Sequence, residues 1–365
     1  MAEWNEDTDS DIEDLEILND FNSYFNRPYL VRPRENNFVK WDDTEFIRRF
    51  RVSKNTAFTI LEEIANDISH PTNRNHALSA CNQLLLTLRY YATGCMQITV
   101  GDFSGVHQTT AGKAIKKVTE AIASRRCRYI MLQDSEEDKR KHQNGFYNMA
   151  RFPLVYGALD CTHIRIQSPG GQNAECFRNR KGYFSLNTQA VCNSDLKFSN
   201  IVARWPGASH GSTIFQNSRL CAIFESGQMG QLVLLGDAGY PNKKYLLTPL
   251  QNPVTEAEKL YNESHIRTRN CIERAFGIWK RRFPVLSLGI KTKVELVQDI
   301  IVATAILHNL CIKHNDVMPN LDVNLENIID VTGSDNNQDT TLSSNYSNNS
   351  YRRQMLIDNY FSSLQ

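Results

Sequence analysis

The sequence predicts an α/β domain, a mixed sheet covered by helices, set behind an all-helical region. Three strand-like segments follow one another at 154–166, 183–193 and 198–207, separated by turn residues at Pro169-Gly170-Gly171 and Asn193-Ser194-Asp195. A further apolar strand, 232–238, runs into a Gly-Tyr-Pro turn. Apolar periodicity of helical type lies on both sides of these segments.

From Asp42 onward, Phe46, Phe50, Phe58, Leu61, Ile64 and Ile68 recur at helical intervals, and NHALSACNQLLLTLRYYATG continues as a more apolar helix that Gly94 is suited to end. The next stretch reads as a short helix, a turn at Ser104-Gly105, and a helix burying Ala111, Ile115, Val118 and Ile122. That is helix-turn-helix spacing, and its second helix would offer Thr109, Lys113, Lys116 and Lys117 to a major groove. An ordinary helix pair with a solvated lysine face has the same pattern. Residues 131–150, with EEDKRKHQNG, read as an exposed linker.

Beyond the three strands, a helix is expected at roughly 210–226. The strand 232–238 follows, and then a helix in which Ile272, Phe276, Trp279 and Phe283, at steps of 4, 3 and 4, mark the buried stripe. A last apolar helix around VELVQDIIVATAILHNLCI completes a layered domain over 151–315, with helices on both sheet faces. Residues 1–40 are expected to be acidic and largely disordered, residues 41–130 to form the helical region, and 316–365, rich in Asn, Ser and Asp, to form a mostly disordered tail. The terminal YRRQMLIDNYF reads as a frayed end.

Composition narrows the class. With 365 residues and 41% hydrophobic content the chain can bury a sizeable core. No uninterrupted apolar run approaches the ~20 residues of a membrane span, and the N-terminus lacks a basic stretch followed by an apolar one, so an intracellular protein is expected. Nine cysteines include no C-x-x-C pair, which argues for free thiols. Residues 1–20 hold nine acids and no Lys or Arg, so removing them from the formal +1 leaves +10 for the rest, a balance compatible with nucleic acid.

Three acids stand out because each sits where a segment would deliver it to a common point. Asp160 lies in LVYGALDCTHIRI, Asp237 closes QLVLLGDAGY, and Glu273 lies beside the buried helical stripe. Carboxylates from two strands and a helix suit a hard, oxygen-ligated divalent ion such as Mg²⁺, with Mn²⁺ as a substitute. Each acid also has a purely structural reading. Asp160 could cap a turn, Asp237 could bond the Gly239 turn, and Glu273 could pair with Arg269 one helical turn earlier.

Five ordered blocks, GALDCTHIRIQSP (157–169), FRNRKGYFSLNTQAVCN (177–193), ARWPGASHGSTIF (203–215), LLGDAGYPNKKYLLTPL (234–250) and RNCIERAFGIWKRRFPVL (269–286), resemble the PIF/Harbinger transposases and the nucleases domesticated from them. The resemblance spans roughly residues 40–315. It implies an RNase H-like DDE nuclease domain over 151–315 with Asp160, Asp237 and Glu273 as catalytic, metal-binding triad. It also implies a transposase-derived endonuclease acting on DNA, a Myb-like DNA-binding partner protein, and residence in nucleus and cytoplasm. One departure is Gly211, in Ser209-His210-Gly211-Ser212, where relatives commonly carry Asp. It keeps open an inactive DNA-binding adaptor descended from a transposase.

Grip on DNA is expected from Arg178, Arg180 and Lys181, from Arg269, Arg274, Lys280 and Arg281 on the Glu273 helix, and from Lys113, Lys116 and Lys117. His163 and His210 are candidates for support, although an odd strand offset places His163 on the face opposite Asp160. A metal-dependent phosphatase would use similar acids without needing so much clustered Arg and Lys.

Overall fold

Asp42 and Ser53 each turn a side-chain oxygen onto an amide three residues ahead, Glu45 and Thr56, and these two caps split the first expected helix into α1 (Asp43–Phe50) and α2 (Lys54–Ile68). The structure, a computed structural model, describes residues 35–72, 76–133, 135–318 and 350–365. Of the N-terminus 1–40 expected to be acidic and largely disordered, residues 1–34 lie outside the described residues, as does most of the expected tail. Because the helix restarts at Lys54, Phe58 falls out of register with Phe46 and Phe50 and is 54% exposed.

Helix α3 (Ala80–Thr93) ends at Gly94, whose φ of 61° suits a residue without Cβ. The short α4 (Gln97–Ser104) turns through Gly105 into α5 (Gln108–Ala123), which buries Ala111, Ile115, Val118 and Ile122. These helices do not form a unit of their own, because one continuous buried cluster runs from Phe46 through Ile115 and Trp279 to Phe361. The segment expected as a linker is helix α6 (Glu136–Ala150), capped by Ser135. It buries only His142 and Phe146, too sparse an apolar signal among charges to read from sequence.

The sheet runs β3-β2-β1-β4-β5, with β1 (Val155–Arg165), β2 (Ser185–Cys192), β3 (Phe198–Pro206), β4 (Val233–Leu235) and β5 (Leu246–Leu247). β1 to β3 are antiparallel neighbours, whereas β4 pairs parallel to β1 and β5 parallel to β4, an RNase H-like mixed arrangement. One face packs Leu159, Val191 and Leu234 with Phe215, Leu220 and Phe224. Those three aromatic and aliphatic anchors come from α7 (Gly211–Gln216) and α8 (Arg219–Glu225). A single helix was expected there, but Ser218 caps Cys221 and starts a second one.

The opposite face, with Ala158, Ile164 and Ala190, shares its cluster with Ile272, Ala275, Phe276 and Trp279 of α9 (Glu256–Arg282). Thr255 and Glu258 form a reciprocal capping box at the start of this 27-residue helix. Helix α10 (Val294–Lys313) is apolar and long enough by composition to cross a membrane, yet 67% of its most apolar window is buried inside the fold. There Asn309 bridges the Phe198 amide and carbonyl, at 2.8 Å each, and donates to the Tyr129 carbonyl at 2.9 Å. His308 Nε2 bonds the Leu196 carbonyl at 2.9 Å.

Residues 350–365, expected to fray, instead dock. Helix α11 (Tyr351–Met355) leads into a wider turn over Leu356–Phe361 that buries Ile357 and Phe361. The Phe361 ring centroid lies 5.6 Å from Phe152 and 5.5 Å from Tyr261 of α9. Arg352 donates to the Lys244 carbonyl at 2.8 Å and Arg353 to that of Thr248 at 3.3 Å, so the segment straps the β5 edge to α9. Removing a buried ring leaves a cavity. Phe361→Ala is therefore expected to lower stability by about 3 kcal/mol in urea unfolding; an unchanged midpoint would contradict the docking.

Candidate active site

Parallel pairing fixes where the two strand acids go. Ala158 of β1 stands opposite Leu235, the last residue of β4, so two residues on, along β1 and just past β4, Asp160 and Asp237 come close enough for their charges to act on each other. Asp160, 7% exposed, accepts the Cys161 amide on Oδ1 at 2.7 Å. Asp237, just past β4, accepts the Gly239 amide on Oδ1 at 3.1 Å.

Helix α9 brings the third acid and more. His265, Arg269, Glu273 and Lys280, at steps of 4, 4 and 7, share one side of the helix and face the sheet. His265 Nε2 bonds the Leu247 carbonyl of β5 at 3.0 Å, and Lys280 donates to the His163 carbonyl of β1 at 3.2 Å. Between them Arg269, 9% exposed, extends one fork to two acids. Its Nη1 donates to Asp160 Oδ2 at 3.1 Å and its Nη2 to Glu273 Oε1 at 2.7 Å. The structural readings of Asp237 and Glu273, a Gly239 turn and an Arg269 pair, are thus both formed.

The charges are unbalanced. Burial first, then the neighbouring Asp237 and Glu273, push the Asp160 carboxyl up to about 7, against the opposing pull of Arg269 and the Cys161 amide. Asp237 is raised in the same way, by burial and Glu273 against Arg269 and the Gly239 amide. All three acids therefore feel one another, and a single guanidinium does not neutralise them. Burial depresses His265 to about 4, so it stays neutral.

No group of three His, Cys, Asp or Glu among the described residues stands gathered as a metal ligand set. The donor chemistry nevertheless fits a hard divalent cation: oxygen only, from three carboxylates whose charge exceeds that of their one guanidinium partner. Gly211, first residue of α7, lies nearby. A Cβ there would sit 2.9 Å from the Tyr240 hydroxyl and 3.2 Å from Cys161 Sγ, and those two groups are themselves 3.2 Å apart. The space beside Gly211 is thus filled by a phenol and a thiol next to Asp160.

The basic residues divide into two sets. Arg269 and Lys280, expected to grip DNA, are turned inward and buried, because they share the helix side that meets the sheet. Lys117 is half-buried and donates to the carbonyls of Ile68 at 2.8 Å and Ser69 at 3.2 Å, tying α5 to α2. Arg178 braces its own loop, with Nε 2.7 Å from Glu175 and its guanidinium 4.4 Å from the centre of the Phe184 ring. Lys113, Lys116, Arg180, Lys181, Arg274 and Arg281 are exposed. Lys116 lies 3.7 Å from Glu120, and Arg180 Nη2 lies 3.1 Å from His210 Nδ1. His163 points away from the acids, its Nδ1 3.0 Å from Ser185 Oγ. Sequence reasoning missed His265, although its four-residue step before Arg269 was there to be counted.

The family described as DDE superfamily endonuclease matches residues 159–309, which contain all three acids. The chain is 33% identical over 260 residues to HARBI1 of Homo sapiens, and equally to HARBI1 of Bos taurus, proteins whose name is that of a nuclease. Each match covers 70% of this chain and 74% of the relative. Identity is 27% over 301 residues, 76% of this chain and 75% of the relative, to the Arabidopsis thaliana protein named antagonist of like heterochromatin protein 1. No solved structure matches.

A carboxyl held above its unfolded value favours folding while it stays neutral and loses that contribution as pH rises through the folded value. With Asp160 raised from 3.8 to about 7, metal-free Asp160→Asn is expected to be more stable than wild type at pH 8 and to lose the advantage as pH falls toward 4. Urea unfolding of both proteins in EDTA across that range checks this, and a difference independent of pH would contradict it.

Proposed function

This chain belongs to the DDE superfamily endonucleases derived from Harbinger transposases, and we propose that it cuts DNA phosphodiester bonds at a divalent-metal site formed by Asp160, Asp237 and Glu273. The observation that carries the reading is the parallel register of β1 and β4, which runs from Ala158 opposite Leu235 toward Asp160 in the middle of β1 and Asp237 just past β4, while Arg269 joins the first of these acids to the helix acid. Mg²⁺ or Mn²⁺, when bound, supplies Lewis-acid stabilisation of the attacked phosphate as water displaces the 3′-oxygen.

The chain's own residues hold and orient. Asp160, in the middle of β1, and Asp237, just past the end of β4, each have one oxygen fixed by an amide. Glu273, its side chain 37% exposed against 10% for Asp160, is the more open of these two acids to arriving DNA. Lys280 and His265 pin α9 to β1 and β5, so the helix acid keeps its height above the sheet. Arg180, Lys181, Arg274 and Arg281 are exposed cations on the elements around the acids, suited to duplex phosphates, with Lys113 and Lys116 as a second patch. A Myb-like partner that supplies recognition, and residence in nucleus and cytoplasm, belong to this reading through the family alone.

A second reading is favoured by one observation. The Tyr240–Cys161 contact leaves a side chain at Gly211 no room beside Asp160, which suits a DNA-binding adaptor without turnover if, as the family resemblance implies, relatives carry an acid at that position. Supercoiled plasmid separates the two. With Mg²⁺ or Mn²⁺, wild type is expected to nick it, and Asp237→Ala and Glu273→Ala to lose more than about 100-fold in rate while retaining salt-sensitive binding. Nicking unchanged in both variants would refute the site; binding without nicking in every version would favour the adaptor.

A further inference from the structure

The Arg269 fork is spread over two different carboxylates. A guanidinium usually meets one carboxylate with both nitrogens, which gives the strongest geometry. Here one nitrogen goes to Asp160 at 3.1 Å and the other to Glu273 at 2.7 Å, from a side chain only 11% exposed. The two acids come from different elements, β1 and α9, and without a cation between them they would repel across a poorly solvated gap. Arg269 is therefore the internal charge that allows the helix to lie against the strand. It also bonds oxygens that a metal would need.

We propose that Arg269 is a resting-state stand-in for the metal, holding Asp160 and Glu273 in place and having to be displaced from them before a divalent ion can load. The inference rests on the metal reading above and adds a cost to loading: each ion must compete with a tethered guanidinium whose local concentration is fixed by the helix. Two consequences follow. The metal-free site keeps its shape, and metal affinity is lower than three free carboxylates would give. Arg269 is thus a positioning residue, not a group that touches the reacting atoms.

Mn²⁺ titration of the full-length chain by calorimetry, beside thermal unfolding, tests this in wild type, Arg269→Gln, Arg269→Lys and Asp237→Asn. Arg269→Gln is expected to bind Mn²⁺ about tenfold more tightly than wild type, to melt lower without metal, and to gain more than wild type in Tm when Mn²⁺ is added. Should Arg269→Gln fail to fold, Arg269→Lys keeps the charge but cannot span both acids, and it too binds more tightly than wild type. Mn²⁺ affinity in the Arg269 variants equal to or weaker than wild type overturns the stand-in role. If wild-type binding nevertheless weakens in Asp237→Asn, the metal reading survives that result. If no version binds Mn²⁺ at the acids, both fall.

Discussion

A polar stripe buried on one side of a helix needs partners for its side chains, and that constraint sets how α9 lies across the sheet. His265, Arg269 and Lys280 each reach a different point, the Leu247 carbonyl, the Asp160 carboxylate and the His163 carbonyl. Sliding the helix by one turn would orphan all three at once. The apolar stripe of Ile272, Phe276 and Trp279 drives the helix onto the sheet; the polar stripe determines the register in which it settles.

The same arrangement explains why acids are acceptable in so dry a place. Asp160 stands in the middle of β1 and Asp237 just past β4, where amides of Cys161 and Gly239 and the Arg269 guanidinium offset part of the cost of burying charge. What remains uncompensated raises Asp160 and Asp237. Such residual imbalance is common at functional sites. The helical half contributes indirectly: α5 packs on α3 and α10, and Arg282 of α9 reaches the Arg51 carbonyl at 2.9 Å, so the two halves support a single site.

Much of this was legible from residues alone. A lone acid in an otherwise apolar run, as at Asp160 and Asp237, marks a strand delivering charge, and the steps of Ile272, Phe276 and Trp279 fix the buried side of α9. Strand register was not legible, because pairing between β1 and β4 joins residues 77 positions apart, as 160 and 237 are, with no local signal. Helix α6 was missed for want of apolar residues, and β5 because two residues carry no period. The inward turn of Arg269 and Lys280 could have been counted from the buried stripe, but their charge argued for solvent. The docking of Ile357 and Phe361 was obscured by the polar stretch before them.

The proposed chemistry depends on the three carboxylates sharing a cation. A crystal of the chain soaked in Mn²⁺ and recorded at a wavelength where manganese scatters anomalously tests that most directly. An anomalous peak bounded by oxygens of Asp160, Asp237 and Glu273 is expected, with Arg269 moved off Asp160. An Arg269 fork still closed on both acids, with no peak beside them, would contradict it.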